Sequence, residues 1–202
     1  MWKGSAMDKI TGLRTKVRDA YSAAALHPAY EHVFPVGLQF ARSLGYPADV
    51  LAGLPAQCVE AFTGVSNVSI FADIREGGTV LDLGCGAGLD SLIAAKRAGS
   101  AGRVIGVDFS AAMLARAQRA AQDAGIHNAV FCQAGAEALP LRDGTITVAL
   151  VNGIFNLNQA REAIFRELAR VVKPGGAVYA AELILREPLP QHSQRDEKDW
   201  FA

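Results

Sequence analysis

The chain has 202 residues, 50% of them hydrophobic, and its 20 basic residues balance its 20 acidic residues. This length fits one domain with a sizeable core, and the balanced charge gives no general attraction to nucleic acid phosphates or to an anionic membrane surface. No apolar run is long enough for a membrane span and no signal-peptide pattern opens the chain, so we expect a cytoplasmic protein with a small-molecule partner.

The N-terminal part, residues 7–76, is predicted to form a helical cap. Apolar residues recur at helical spacing over 8–26, which indicates one amphipathic helix. Prolines and a Gly-Tyr-Pro turn then divide the chain into short helices, expected over 36–44, 48–54 and 56–62. A turn at 64–67 and a helix of about two turns at 68–74 complete the cap. Residues 1–6, before Met7, look like a leader added for expression.

Strands and helices alternate over residues 77–186. The expected strands are 79–83, 103–108, 129–133, 145–151 and 177 to about 185, and the expected helices are 89–98, 111–124 and 158–172. The strands are mostly apolar and β-branched, as strands covered on both faces must be. This pattern predicts an α/β fold with a Rossmann-like, doubly wound parallel sheet, one structural domain in all, followed by a polar tail at 187–202.

Ligands of such sheets bind beyond the carboxyl ends of the strands, which here are Gly84, Asp108, Gln133 and Asn152. Gly84, Gly86 and Gly88 form a turn between the first strand and its helix, where glycine permits positive φ and lets a ligand approach the backbone. Asp108 ends the second strand about 20 residues later, at the spacing of a ribose-binding acid. These features predict a nucleotide site.

Position 89 is Leu, where a dinucleotide site needs its third glycine. This disfavours an NAD-linked oxidoreductase, which we keep as a minor alternative. The G-x-G-x-G turn after Asp82 instead resembles motif I of the class I S-adenosylmethionine (SAM) methyltransferases. The resemblance extends over 64–185 and includes the segments 104–110, 136–141, 151–153 and 170–176.

Within that class the loops 64–67, 86–91 and 152–157 resemble those of the arsenite methyltransferases and, less closely, of the ubiquinone/menaquinone C-methyltransferases (the type 11 group). The resemblance implies SAM as cofactor and in-line methyl transfer to a small-molecule acceptor. In arsenite methyltransferases, however, cysteines occupy the places of Val65 and Gly153. The soft As(III) centre is bound by soft thiolates, and this chain lacks cysteines at both positions. Arsenite is therefore not the expected acceptor.

By the same resemblance, Asp108 would hold the ribose hydroxyls, Phe109 and Met113 would enclose adenine, and Ala136 and Glu137 would meet the adenine edge. Residue-level alternatives stay open: Met113 at helical spacing could be plain core, Glu137 could be a solvated loop acid, and Asp108 could have a structural role. The remaining implied cofactor-binding residues lie in the glycine turn and at the end of strand four: Asp82, Gly84, Cys85, Gly86, Gly88 and Asn152.

No catalytic residue is assigned, because in-line methyl transfer depends on alignment and water exclusion more than on acid–base groups. The acceptor pocket is expected between 152–156 and the cap. The candidates there are Tyr21, His27, Tyr30 and Asn152, with His32 beside them; Asn152 is expected to brace the site rather than perform chemistry.

Three cysteines, Cys58, Cys85 and Cys132, are too few and too scattered for a disulfide framework or a zinc site, so no metal is expected. Class I methyltransferases usually continue past strand five with a hairpin that completes the sheet, and this chain ends at Ala202. Strand five is therefore expected to be a free edge, covered by the tail or by a second copy in a homodimer. The alternative function is a catalytically impaired SAM-binding or assembly protein.

Overall fold

The computed structural model describes residues 5–184. The first helix begins at Ser5, so it includes the last two residues of the expected leader. Residues 1–4 and the expected polar tail, 187–202, lie outside the described part of the chain. None of the helices within residues 5–184 has the length and apolar character needed to cross a membrane.

The N-terminal part is helical, as predicted, and most of its helices are shorter than expected. They are α1 (Ser5–Leu26), α2 (Leu38–Ser43), α3 (Ala48–Ala52), α4 (Ala56–Glu60) and α5 (Val68–Phe71). Pro47 and Pro55 stand immediately before α3 and α4 in extended conformations, with ψ of 138° and 141°. Because proline has no N–H to lose at a helix start, it begins the next helix cheaply after ending the previous one.

The rest of the described chain alternates strand and helix. The elements are β1 (Thr79–Leu83), α6 (Leu89–Ala98), β2 (Arg103–Asp108), α7 (Ala111–Asp123), β3 (Ala129–Gln133), β4 (Ile146–Asn152), α8 (Arg161–Val171) and β5 (Val172–Ala181). All neighbouring strands are parallel, in the order β3-β2-β1-β4-β5. The predicted doubly wound parallel sheet is confirmed, and its strand order reverses between β1 and β4.

Strand β5 differs from the prediction at its start. It begins at Val172, directly after α8, and its register against β4 shifts between the pairs Ile146–Val172 and Val148–Ala177. The expected strand began at residue 177, after the Lys-Pro-Gly-Gly segment, but an edge strand tolerates proline and glycine where it bulges. Within the described residues β5 pairs with β4 alone, and the tail that was expected to cover its outer edge lies outside them.

The cap packs on the helices that flank the glycine turn. Tyr46, Leu54 and Phe62 of the cap share a buried cluster with Leu89 and Leu92 of α6. Helix α1 lies on α7 through a second cluster, in which Ala24 and Ala25 meet Met113. The Arg116 side chain on α7 adds hydrogen bonds to the backbone oxygens of Ala25 and Gln57. The cap is thereby held above the carboxyl ends of the strands.

Candidate functional site

A cavity of about 200 Å³ lies at the carboxyl ends of the central strands. Its floor is the glycine turn, one wall is the segment that follows β4, and α1 covers it. Its lining residues come from α1 (Arg14, Val17, Tyr21), the cap (Cys58, 61–64), β1 and its turn (82–87, Leu89, Asp90), β2 (Val107, Asp108, Phe109), the loop after β3 (134–137) and the segment after β4 (152–154, 157–160). The cavity therefore stands where parallel α/β sheets bind their ligands.

Asp108 joins the end of β2 to the glycine turn. Its Oδ2 accepts a hydrogen bond from the Gly86 N–H at 2.9 Å, and its Oδ1 accepts one from the Ser110 N–H at 2.8 Å. The carboxylate is 7% exposed, and burial raises its pKa although the two N–H donors oppose that rise. Each oxygen keeps a further lone pair, so the group is held in place and can still accept a ligand hydroxyl.

The glycine turn needs its glycines. Gly84, Gly86 and Gly88 have φ of 75°, 51° and 87°. A Cβ on Gly84 would collide with Ile154, and a Cβ on Gly88 would lie 2.9 Å from the Ala117 Cβ. The turn therefore combines backbone strain for other residues with close packing on both sides.

Cys85 lies within the same turn and lines the cavity. Burial raises the pKa of its thiol, and the charges of Asp108 and Asp82 raise it further. A thiol kept protonated in this way is a poor nucleophile and a poor metal ligand.

Two buried carboxyl groups, Asp82 and Asp90, line the floor of the cavity. Asp82 is 2% exposed, and its Oδ2 accepts a hydrogen bond from the Ser91 hydroxyl at 2.5 Å. Burial raises the pKa of Asp82 to about 8, and the charge of Asp90 adds to that rise. Two like charges this deeply buried favour a cationic ligand group between or beside them.

Asp90 was not among the predicted site residues, yet it is the centre of the densest hydrogen-bond network in the described site. Its Oδ1 accepts hydrogen bonds from the Tyr46 hydroxyl at 2.7 Å and from the Ser69 hydroxyl, and its Oδ2 accepts one from the Asn152 amide at 2.9 Å. It therefore connects the cap, α6 and the end of β4. The available sequence signal was weak: an acid in the first turn of a helix normally indicates only a favourable dipole contact.

Asn152 uses its whole side-chain amide within the protein. The Nδ2 donates to the Ser66 carbonyl at 2.7 Å as well as to Asp90, and the Oδ1 accepts from the N–H groups of Val65 and Ser66 at 2.9 and 3.1 Å. Both amide hydrogens are thus occupied. The geometry agrees with a brace between β4 and the loop that precedes α5, rather than with a proton-transfer group.

The structure places only some of the residues expected around adenine in the lining of the cavity. Phe109, Ala136 and Glu137 line the cavity, whereas Met113 is 1% exposed and packs under the glycine turn against the alanines of α1. Met113 therefore fits the alternative of plain core. Glu137 is not simply solvated, because it forms an ion pair with Arg14 of α1 across the cavity mouth.

Of the candidates in the cap, Tyr21 lines the cavity and the others lie outside it. His27 and Tyr30 stack on each other with ring centroids 4.9 Å apart, and Tyr30 is 69% exposed. His32 lies beside them, with its Nε2 2.9 Å from the His27 carbonyl oxygen. The sequence places all of these residues in the cap but carries no information about which of them line the cavity.

Basic side chains and clusters of metal-binding side chains are scarce among the described residues of this site. Arg14 is the one basic side chain among the described residues that line the cavity, and it is paired with Glu137. Among residues 5–184, no three His, Cys, Asp or Glu side chains are grouped so that they could hold a metal ion. Val65 and Gly153 lie side by side, since a Cβ on Gly153 would be 2.9 Å from the Val65 Cγ1.

The sequence matches the methyltransferase domain family over residues 74–201. It is similar to arsenite methyltransferase of Halobacterium salinarum, with 35% identity over 153 residues that cover 76% of this chain and 39% of the relative. It is also similar to demethylmenaquinone methyltransferase of Bacillus subtilis, with 32% identity over 112 residues that cover 54% of this chain and 47% of the relative.

Among solved structures, the fold is similar to an arsenic(III) S-adenosylmethionine methyltransferase from Chlamydomonas reinhardtii. The TM-score is 0.59 at 30% identity, and the match covers 78% of this chain and 52% of that chain. The chain thus spans about half or less of the length of these relatives.

Proposed function

The chain belongs to the methyltransferase domain family, and from that premise we propose that it transfers a methyl group from SAM to a small-molecule acceptor. SAM is the cofactor of the structural relative from Chlamydomonas reinhardtii, and the sheet, turn and strand-end acid are those of a class I enzyme.

The observation that carries the proposal is the position of Asp108. Its carboxylate is fixed by the Gly86 and Ser110 N–H groups and borders a cavity whose floor is bare glycine backbone. A carboxylate that keeps lone pairs toward a cavity suits a ribose diol, because the two hydroxyls supply the donors that burial makes necessary. We assign the ribose to Asp108, the adenine to Phe109, Ala136 and Glu137, and the amino-acid part to the glycine turn.

Asp82 suits the ammonium group of the cofactor. Asp90 already accepts three side-chain donors, whereas Asp82 accepts one, from Ser91. A cation beside Asp82 would compensate a charge that burial otherwise disfavours. We therefore assign the ammonium to Asp82 and a bracing role to Asp90 and Asn152.

When bound, SAM supplies a methyl group activated by its positive sulfur, which an acceptor atom attacks in line as the carbon–sulfur bond breaks. The work left to the protein is to align the two molecules and to exclude water. Helix α1 covers the cavity, and Arg14 closes its mouth through the ion pair with Glu137. The hydrogen-bond network of Asp90 keeps the cap in register with the glycine turn.

The acceptor side of the cavity indicates a small, largely apolar acceptor. Val17, Phe62, Ile154 and Leu157 supply apolar lining, and the basic side chain of Arg14 is already paired. Such a wall gives little binding energy to a phosphate or carboxylate. Val65 and Gly153 present no thiolates, so we propose that the acceptor is not arsenite.

We test cofactor binding by titration calorimetry with S-adenosylhomocysteine (SAH) and its 2′-deoxy analogue. In the wild type, SAH should bind about 10- to 100-fold more tightly than the deoxy analogue, the value of a hydrogen bond to a charged group. Asp108→Ala should bind both weakly and equally, while the exposed Asp49→Ala should keep the wild-type preference. Equal binding of the two ligands by the wild type would contradict the assignment of Asp108.

We also propose that two copies of the chain pair through the outer edge of β5. This edge strand is the observation that favours the alternative of an assembly protein. Val178 on β5 is 44% exposed and Val130 on the opposite edge strand, β3, is 50% exposed, so a substitution at Val130 is a control for the same substitution at Val178. By sedimentation, Val178→Lys should dissociate a dimer and Val130→Lys should not.

SAM binding without methyl transfer to any of a panel of small uncharged acceptors would favour the alternative function.

A further inference from the structure

We propose that the Tyr21 hydroxyl donates a hydrogen bond to an oxygen of the acceptor, so that the acceptor is an apolar molecule carrying a carbonyl or an equivalent oxygen. This inference rests on the proposed function and names the substrate class for the same cavity. It concerns binding and orientation of the acceptor, not proton abstraction.

Tyr21 is held rigidly against the cavity. Its ring stacks on Phe34 with centroids 4.7 Å apart and an interplanar angle of 27°. The neighbouring Ser22 hydroxyl lies 2.9 Å from the Ser110 hydroxyl, which fixes this turn of α1 on the start of α7. A donor on a fixed ring costs little conformational entropy when it binds a ligand.

The Tyr21 hydroxyl makes no hydrogen bond to the described residues, unlike the buried Tyr46 hydroxyl, which donates to Asp90 and lies 3.0 Å from the Ser66 carbonyl oxygen. Among the described residues, every fully buried side-chain oxygen or nitrogen has a partner. The Tyr21 hydroxyl therefore keeps some accessible surface, and the Tyr21 side chain lines the cavity. A largely desolvated phenol with an unused donor is a place for a polar ligand atom.

The surroundings keep this phenol neutral. Burial raises its pKa first, and the charges of Asp108 and Glu182 raise it further. Both carboxylates already accept backbone donors, Asp108 from Gly86 and Ser110, and Glu182 from the Phe155 N–H at 2.7 Å. The hydroxyl consequently remains a donor near neutral pH and is unsuited to act as a base.

The position lies over the middle of the site. Asp108 ends β2, and Glu182 follows β5 on the other side of the two central strands. Tyr21 lines the cavity together with Asp108 at the end of β2 and with Asn152 and Ile154 at the end of β4. This is the region left for an acceptor once the cofactor occupies the glycine turn.

The test compares two bicyclic probes of nearly equal size, 1-tetralone, which has a carbonyl oxygen, and tetralin, which has none. Binding to the SAH-loaded full chain is followed by NMR titration for the wild type, Tyr21→Phe and the control Tyr30→Phe, whose ring is exposed. In the wild type, tetralone should bind more tightly than tetralin. Tyr21→Phe should weaken tetralone binding about 3- to 10-fold and leave tetralin binding unchanged, because the ring and its stacking remain.

Three results would overturn the inference. Tetralone could bind the wild type no more tightly than tetralin, or Tyr21→Phe could change both probes equally, which would indicate packing alone. A loss of SAH affinity in Tyr21→Phe, measured by calorimetry, would show that the hydroxyl serves the cofactor instead. Failure of the wild type to bind SAH at all would contradict the proposed function itself and is separately visible before any probe is added.

Discussion

Replacing Asp82 by Asn should stabilise the free protein and weaken cofactor binding at the same time. In the folded chain burial raises the pKa of Asp82 from its ordinary 3.8 to about 8. The folded state therefore holds a proton that the unfolded state has lost at neutral pH. The contribution of Asp82 to stability is present below pH 4, falls as the pH rises toward about 8, and is constant above that.

Each pKa unit corresponds to about 1.4 kcal/mol, so the penalty of the ionised carboxylate at pH 8 is on the order of several kcal/mol. Asparagine has nearly the same shape and no charge, and its carbonyl oxygen can still accept the Ser91 hydroxyl that lies 2.5 Å from Asp82 Oδ2. We expect Asp82→Asn to gain about 2–5 kcal/mol at pH 8 and little at pH 4. In a chain of this size such a gain raises the melting temperature by at least about 5 °C.

The same substitution removes the proposed partner of the cofactor ammonium. Losing a hydrogen bond to a charged group should lower SAH affinity about 10- to 100-fold at pH 7. Because the free carboxyl is mostly protonated at pH 7, binding of SAH to the wild type should release roughly one proton, and binding to Asp82→Asn none. Calorimetry in two buffers of different ionisation enthalpy measures this release.

Asp90→Asn is the matched control. Asp90 accepts hydrogen bonds from Tyr46, Ser69 and Asn152, so an amide nitrogen in its place would face a donor and lose a buried hydrogen bond. Burial also raises the pKa of Asp90, so the comparison is made at pH 4, where Asp90→Asn should melt below the wild type and Asp82→Asn should not. If Asp82→Asn melts no higher than the wild type at pH 8 and binds SAH with unchanged affinity, the interpretation of the acidic floor is wrong.

Two further predictions concern residues that support the floor of the cavity, one through Asp90 and one in the glycine turn. Tyr46→Phe should cost about 1–3 kcal/mol in urea denaturation, because the Asp90 carboxylate loses a donor while remaining buried; an unchanged midpoint would contradict the bracing role. Gly84→Ala and Gly77→Ala both place a side chain at φ of 75°, but only at Gly84 would the new Cβ collide, with Ile154. Both variants should therefore lose about 1–2 kcal/mol from backbone strain in thermal melts, and only Gly84→Ala should lose more and also fail to bind SAH.

The sequence predicted the sheet well because the apolar pattern of a buried parallel strand is local and can be recognised without knowing which strands lie beside it. The run 79–83 is mostly apolar and buried, with Asp82 as its one acid, and a glycine turn and a helix follow it in the sequence. The strand-end acid Asp108 was also predictable, since it directly ends the local apolar pattern of β2.

The sequence could not predict contacts that join distant segments. Asp90 meets Tyr46 across 44 positions and Asn152 across 62, and no local pattern distinguishes it from an ordinary first-turn acid. Met113 matched the motif of an adenine contact and the periodicity of a core residue equally well, and its packing against α1 is a long-range contact that the sequence does not show. The sequence likewise could not show that Tyr21 lines the cavity whereas Tyr30 is exposed.

These long-range contacts make the cap part of the cofactor site rather than a separate cover. One carboxylate, Asp90, receives a hydroxyl from the cap and an amide from β4 while its helix begins at the glycine turn. Any movement that lifted Tyr46 would leave that buried charge short of a donor, and burial would then favour its protonation. An ordered cap and a correctly shaped turn therefore stabilise each other, and a ligand that orders one should also order the other.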